Sequence, residues 1–167
     1  MNIKKSNKLY DKIVLLLLAS GIRPIELFLS TFTKKTKYNI KITDLAKKRD
    51  KKSSMIKPLN FLTSDDFLSI LNSIKENVKA VENKPIINND ILNKNIHYKL
   101  NKKINNIFGI LNIDIKQNKS SLLRKLYAVI SYRNTKRNNI NFNLYLKTVL
   151  GHNELNTSFS YSTIRLI

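Results

Sequence analysis

Apolar residues recur along most of the chain at the spacing of helices that bury one side against a core. Residues 8–20 are apolar on most sides, which predicts a buried helix, and Gly21 follows where a helix often ends in a left-handed residue. Pro24 suits the first turn of a second helix, so Arg23 is expected in a tight corner between the two. The same spacing predicts four further helices: one that carries Phe67, Ile70, Leu71 and Ile74, and three over residues 90–108, 121–132 and 142–150.

Two short segments instead alternate between apolar and polar residues. Residues 38–43 are expected to form a half-buried strand and residues 54–59 its partner, joined by a basic hairpin tip at residues 46–52. The polar residues 77–89 predict a loop. A cluster of Thr63, Ser64, Asp65 and Asp66 precedes Phe67; its aspartates could bind a metal, but helix capping is the favoured interpretation. The pattern therefore predicts an α+β, mainly α fold with a small antiparallel sheet near residues 38–59.

The charge of the chain points to a polyanionic partner. Its 167 residues include 31 Lys and Arg against 11 Asp and Glu, which gives a formal net charge of +20. Neutralisation of phosphates by such cations releases condensed counterions, so double-stranded DNA is the first candidate and an anionic membrane surface the second. Codon bias is the alternative, but it explains the many Asn and Ile better than the scarcity of Glu, which occurs only at positions 26, 76, 82 and 154.

Several function classes are disfavoured by what the sequence lacks. There is no Cys, so disulfides, thiolate metal sites and cysteine nucleophiles are excluded. The apolar run at residues 13–19 is shorter than the roughly 20 residues of a membrane span, and no cleavage site follows it. There is also no phosphate-binding Gly loop and no carboxylate cluster. We therefore expect no cofactor, no metal, no membrane association and no small-molecule substrate, in a cytosolic, nucleoid-associated or virus- or plasmid-encoded protein.

Two glycine-containing motifs carry the candidate chemistry. Residues 20–27 read Ser-Gly-Ile-Arg-Pro-Ile-Glu-Leu, and residues 150–152 read Leu-Gly-His, followed by Thr157 and Tyr161. In order and spacing these motifs resemble the catalytic domain of tyrosine recombinases, the integrase and Xer-like family of DNA breaking and rejoining enzymes. The resemblance also implies the integrase-like fold, with the small sheet packed at one edge.

Two further positions complete the resemblance. A hairpin lysine of the family falls at Lys47 or Lys48, and the sequence does not decide between them. The second arginine of the family falls at Arg124, but Ser121 stands where the family usually has His. Telomere resolvases depart from His at the same position, and residues 124–132 resemble their Arg-x-x-Tyr-Ala helix. The resemblance therefore favours the telomere resolvase branch.

The resemblance implies a role for each of these residues in attack on a DNA phosphodiester. Two planar guanidinium groups match the non-bridging oxygens of a phosphate, and preorganised cations stabilise the charge that develops there. Arg23 and Arg124 would clamp the phosphate, His152 would add a third donor, Lys47 or Lys48 would protonate the leaving 5′ oxygen, and Tyr161 would form a 3′-phosphotyrosyl intermediate. No metal is needed for this chemistry.

Simpler interpretations exist for the single residues. Arg23 could cap the helix that ends at Ser20, His152 could interact with a helix dipole, the hairpin lysines could be solvated, and Tyr161 is one of seven tyrosines. For the whole chain, the alternatives are a catalytically inactive DNA-binding remnant and topoisomerase-like relaxation. We expect a single catalytic domain over residues 1–167, without the N-terminal DNA-clamping domain of such recombinases, and a homo-oligomer on DNA.

Overall fold

The computed structural model describes residues 9–44, 54–82, 89–110, 119–134 and 141–150. In chain order the elements are α1 (Leu9–Ser20), α2 (Glu26–Leu29), β1 (Thr31–Thr36), β2 (Asn39–Thr43), β3 (Met55–Pro58), α3 (Ser64–Glu82), α4 (Asn89–Ile110), α5 (Lys119–Asn134) and α6 (Phe142–Leu150). This confirms the mainly helical α+β fold and the five longer helices predicted from the sequence.

Helix α1 lies at the centre of the core that the described residues form. It packs against α3, α4 and α5, and its apolar side chains are buried on most sides, as the sequence pattern predicts. The core around it includes Ile13, Leu16, Leu17, Phe67, Leu71, Ile74, Leu100 and Ile104. Within this core, the buried carboxylate of Asp11 on α1 forms an ion pair with Lys103 of α4. A helix of this kind is stabilised by burial rather than by an amphipathic stripe.

A three-stranded antiparallel sheet, in the order β1-β2-β3, packs beside α3. The sequence predicted only β2 and β3, and β1 was missed. Most of its side chains are exposed, so it lacks the alternation that marks a half-buried strand. Its aromatic residue Phe32 lies 5.7 Å, centroid to centroid, from Phe67, which attaches this edge of the sheet to α3.

The start of α3 confirms the capping interpretation of the acidic cluster. The backbone N–H of Asp66 donates to Thr63 Oγ1 at 3.1 Å, and the Thr63 N–H donates to Asp66 Oδ2 at 3.4 Å, a reciprocal capping arrangement. Asp65 forms an exposed ion pair with Lys34 instead. The aspartates therefore serve the helix terminus and the sheet, in agreement with the interpretation favoured from the sequence.

The predicted loop at residues 77–89 was wrong in its first part. Helix α3 continues to Glu82, α4 already begins at Asn89, and residues 83–88 lie outside the described residues. Asn77 satisfies its side-chain amide by donating to the Ser73 carbonyl oxygen at 2.6 Å. A polar segment can thus extend a helix beyond the core without burying apolar surface. The spacing of apolar residues does not reveal such an extension.

Candidate active site

The corner between α1 and α2 positions Arg23. Gly21 has φ of +60°, the left-handed conformation that the sequence predicts, and its N–H donates to the Leu17 carbonyl oxygen to close α1. Glu26 then binds Arg23 twice, since Oε2 accepts from the Arg23 backbone N–H and Oε1 from the guanidinium, both at 2.7 Å. The Glu26 side chain is 4% exposed and that of Arg23 is 29% exposed. Arg23 is therefore fixed from one side while part of its side chain stays open to solvent.

Helix α5 carries Arg124, whose guanidinium is held by the end of α6. Arg124 Nη2 donates to the Leu150 carbonyl oxygen at 3.0 Å, and the residue is buried. Carbonyl groups in the last turn of a helix lack intrahelical partners and carry partial negative charge, so they attract a cation. This bond places Arg124 directly beside the point where the chain continues to Gly151 and His152.

Tyr127, one turn after Arg124, joins α5 to the α1–α2 corner. A Cβ atom added to Gly21 would lie 2.0 Å from Tyr127 Cδ1, so the aromatic ring rests against the bare glycine backbone. The Tyr127 hydroxyl donates to the Pro58 carbonyl oxygen of β3 at 2.9 Å. Three segments that are remote in sequence therefore meet at a single fully buried side chain.

Asn60 makes a second connection among the same segments. Its backbone N–H donates to the Ala19 carbonyl oxygen at 2.9 Å, and its side-chain amide donates to the Tyr127 carbonyl oxygen at 3.1 Å. Asn60 is itself buried. Together with Tyr127, it locks the end of α1, the end of β3 and the middle of α5 to one another, and thereby fixes the relative placement of Arg23 and Arg124.

Lys57 of β3 lies among these groups and was not predicted from the sequence as a site residue. It is 2% exposed, and its Nζ lies 5.3 Å from the centroid of the Tyr127 ring. Burial lowers the pKa of Lys57 well below its ordinary range, and the nearby positive charge of Arg124, then that of Arg23, lowers it further, against the opposing effect of Glu26. The Tyr127 ring beside this amine also rests against Gly21, and Tyr127 follows Arg124 by one helical turn, so Lys57 lies at the junction of the segments that carry Arg23 and Arg124.

Tyr127 is close to Arg124 but is unsuited to be a nucleophile. Burial raises the pKa of its phenol well above the ordinary value, with a further contribution from Tyr145. Its hydroxyl is also used to donate to Pro58. A buried phenol that already donates a hydrogen bond in the core serves the architecture of the site.

The remaining predicted site residues, Lys47, Lys48, His152 and Tyr161, lie outside the described residues. Of the six, the structure therefore places Arg23 and Arg124, which it brings together with Lys57, Glu26 and Tyr127. Within the described ranges, no group of acidic residues or histidines could hold a metal ion. In those ranges, none of the helices is both long enough and apolar enough to cross a membrane.

Prediction of Lys57 as a buried site residue would have required the pairing register of β3 against β2. Lys57 pairs directly with Ile40, and directly opposed residues of an antiparallel pair lie on the same face. Ile40 and Ile42 are fully buried, so Lys57 faces the core while its apolar neighbour Ile56 is 54% exposed. Apolar alternation within residues 55–58 alone favours the opposite orientation, which is why the lysine was missed.

The comparisons with known proteins agree with this architecture. A family model for the telomere resolvase ResT/TelK catalytic domain matches residues 2–163. No curated protein matches the chain. A variant of protelomerase TelA, solved in covalent complex with substrate DNA, has a TM-score of 0.78 and 26% identity, over 99% of this chain and 56% of the TelA chain.

Two more distant structures share the fold. Protelomerase TelK complexed with substrate DNA gives a TM-score of 0.74 at 20% identity, over 99% of this chain and 34% of TelK. The XerH site-specific recombinase bound to difH substrate gives a TM-score of 0.63 at 21% identity, over 98% of this chain and 47% of the XerH chain. The chain thus spans about half, or less, of the solved proteins that it matches. Since the family model covers nearly its whole length, the protein belongs to the telomere resolvase ResT/TelK catalytic domain family, which confirms the branch favoured by the sequence motifs.

Proposed function

We propose that this protein breaks and rejoins double-stranded DNA through a 3′-phosphotyrosyl intermediate. In this proposal Tyr161 gives its phenol proton to solvent, and its oxygen then attacks the phosphorus, forming the phosphotyrosyl bond and breaking the bond to the 5′ oxygen. Lys47 or Lys48 transfers a proton to that oxygen, and His152 donates a hydrogen bond to the phosphate. Rejoining reverses these steps, with the 5′ hydroxyl as nucleophile and Tyr161 as leaving group.

The observation that carries the proposal is the junction around the buried Tyr127, which joins the segments of Arg23 and Arg124. The two arginines come from remote segments, and Tyr127 and Asn60 bind these segments to each other. Two fixed guanidinium groups suit a phosphodiester, because charge builds on its non-bridging oxygens during attack and donors already in place need no reorganisation. The net charge of +20 supplies the long-range attraction for the DNA backbone.

We further propose that the outcome is the closure of DNA ends as hairpins. Family membership supports this choice, because the matching family model describes a telomere resolvase catalytic domain. Assembly of two or more copies on the DNA and a place of action at the nucleoid, or on a plasmid or viral genome, belong to the same proposal.

The decisive experiment is capture of the covalent adduct. A randomised pool of duplexes that carry 5′-bridging phosphorothiolates traps any phosphotyrosyl product, because the thiol leaving group does not rejoin. The attached strand is then sequenced to define the target. We expect adduct with the unsubstituted protein, none with Tyr161→Phe, and unchanged yield with the control Tyr98→Phe, whose side chain is exposed on α4. Adduct that persists in Tyr161→Phe would refute the assignment of the nucleophile.

The same assay separates the enzyme from its alternatives. We expect Arg124→Lys to slow adduct formation by about 10²–10³-fold, since a lysine cannot reproduce the planar fork, and to change DNA affinity little. An inactive remnant would bind DNA and give no adduct with any duplex. Relaxation of supercoiled plasmids without sequence preference would instead indicate topoisomerase-like activity.

A further inference from the structure

The buried amine of Lys57 is unexplained by the packing of the fold. Its Nζ is inaccessible to solvent and has no hydrogen-bonding partner among the described residues. An unsatisfied buried amine is unfavourable, and an apolar side chain such as methionine would fill the same place opposite Ile40 without that cost. A lysine at this position therefore calls for a reason beyond stability.

The groups that face this amine are those of the proposed phosphate site. Arg23 and Glu26 act on it from the α1–α2 corner, and Arg124 and Tyr127 from α5. The neighbouring strand contributes the apolar residue Ile40. Two positive charges and one negative charge thus surround the amine, in an interior where charges interact more strongly than in water.

This balance of charges depends on whether a phosphate is bound. Without DNA, burial disfavours the ammonium form of Lys57, and protonation would also place a third cation beside two guanidinium groups. A phosphodiester bound by Arg23 and Arg124 adds a negative charge to the same neighbourhood. Its field acts in the opposite direction to that of the arginines and favours the ammonium form.

We propose that Lys57 is a positioning residue that takes up a proton when a DNA phosphodiester binds between Arg23 and Arg124. A buffer acid gives up the proton and becomes its conjugate base, and a new N–H bond forms on the Lys57 amine. The ammonium acts on the phosphate and on the arginines through its charge. The inference rests on the proposed function for the location of the phosphate, and it assigns Lys57 a role separate from that of Lys47 or Lys48.

Proton uptake makes DNA binding dependent on pH. If one full proton is taken up, affinity falls about tenfold for each unit by which pH rises, in the range where the free protein has a neutral Lys57 and the complex a charged one. A lysine that merely packs in the core produces no such linkage. Surface lysines that attract DNA by charge alone stay protonated near neutral pH, so they produce no such pH dependence there.

Calorimetric titration with a short duplex of mixed sequence tests the inference. The full chain carries Tyr161→Phe to prevent cleavage, and binding is measured in two buffers with different ionisation enthalpies at one pH. The difference in binding heat gives the number of protons taken up. We expect uptake of up to one proton, its loss in Lys57→Met, and no change in the control Lys41→Met, because Lys41 is an exposed lysine of the same sheet.

A second measurement keeps the test valid if Lys57→Met does not fold. In the Tyr161→Phe chain with native Lys57, the ¹³C shift of the Lys57 methylene next to the nitrogen is followed during a pH titration, with and without the duplex. A titration midpoint that moves to higher pH on DNA binding supports the inference. The inference is overturned if Lys57→Met takes up as many protons as the chain with native Lys57. It is also overturned if DNA binding does not move the titration midpoint of Lys57.

The outcome for the proposed function is read separately. If the chain with Tyr161 intact forms the adduct but the proton-uptake test fails, DNA cleavage is supported and only the role of Lys57 is refuted. If protons are taken up but no duplex gives an adduct, the phosphate site is supported and the cleavage reaction is refuted. If both hold, the rate of adduct formation falls with rising pH in the unsubstituted protein, and this dependence is weaker in Lys57→Met.

Discussion

Substitution of Gly21 by alanine is expected to disrupt the junction that holds the two arginines together. The new Cβ would lie 2.0 Å from Cδ1, 2.6 Å from Cε1 and 2.7 Å from Cγ of Tyr127, well inside van der Waals contact. The ring cannot yield easily, because the Tyr127 hydroxyl is bonded to Pro58 and its backbone carbonyl to Asn60. The backbone at φ +60° is unfavourable for alanine as well.

The expected loss of stability follows from these two effects. A left-handed conformation costs a non-glycine residue about 1–2 kcal/mol. An extra methyl group forced into a packed core costs typically about 1–3 kcal/mol. We therefore expect Gly21→Ala to lower the free energy of unfolding by about 2–5 kcal/mol, a large part of the roughly 5–15 kcal/mol available to a domain.

Urea unfolding, followed by circular dichroism, measures this loss, and a double-mutant cycle identifies its origin. Tyr127→Leu removes the ring that the new methyl group would strike, so in that background Gly21→Ala should cost only the backbone contribution of about 1–2 kcal/mol. The same cost in both backgrounds would refute the steric part of the reasoning. An unchanged midpoint for Gly21→Ala alone would refute both parts.

Three further predictions concern single contacts, each measured by urea unfolding. Tyr127→Phe removes the bond to Pro58 and should cost about 1 kcal/mol; no loss would show that water replaces the hydroxyl. Thr63→Ala removes the cap of α3 and should also cost about 1 kcal/mol, whereas Ser69→Ala at an exposed position of that helix should not. Because burial lowers the pKa of Lys57, the unfolded chain binds more protons, and stability rises with pH toward the ordinary value of 10.5. Lys57→Met removes this rise. The free energy by which Lys57→Met is more stable than the unsubstituted protein should therefore decrease as pH increases. Parallel plots of stability against pH for the two proteins would contradict a lowered pKa of Lys57.

Local signals in the sequence were sufficient for the corner that carries Arg23. A glycine after an apolar run, followed by Pro24, predicts a left-handed helix end and a new helical turn, and the structure has both. The capping arrangement of Thr63 and Asp66 was equally accessible, because it depends on residues three apart. Features of this kind are determined within a few residues, so one sequence contains the information.

Features that depend on distant partners could not be predicted in the same way. Strand β1 is stabilised by pairing along β2 and by the contact of Phe32 with Phe67, and its own pattern gives no period. The burial of Lys57 follows from its register against Ile40. Likewise, the contact of Tyr127 with Gly21 depends on the packing of α5 against the end of α1. Each requires the tertiary arrangement before the role of the residue becomes visible.

The two arginines of the proposed phosphate site are held by different anchors. Glu26 binds Arg23 directly and offsets its charge, whereas Arg124 is held by the carbonyl group of Leu150, which has a dipole but no net charge. In the proposed function, the Leu150 carbonyl group thus holds Arg124 at the phosphate, while Glu26 fixes the geometry of Arg23. A phosphodiester carries one negative charge, and attack by a tyrosine oxygen adds more to the same oxygens. An amine at Lys57 that is neutral in the free protein and charged in the complex would supply the further cation only when that anion is present, without the repulsion that a permanent third charge would impose on the folded protein.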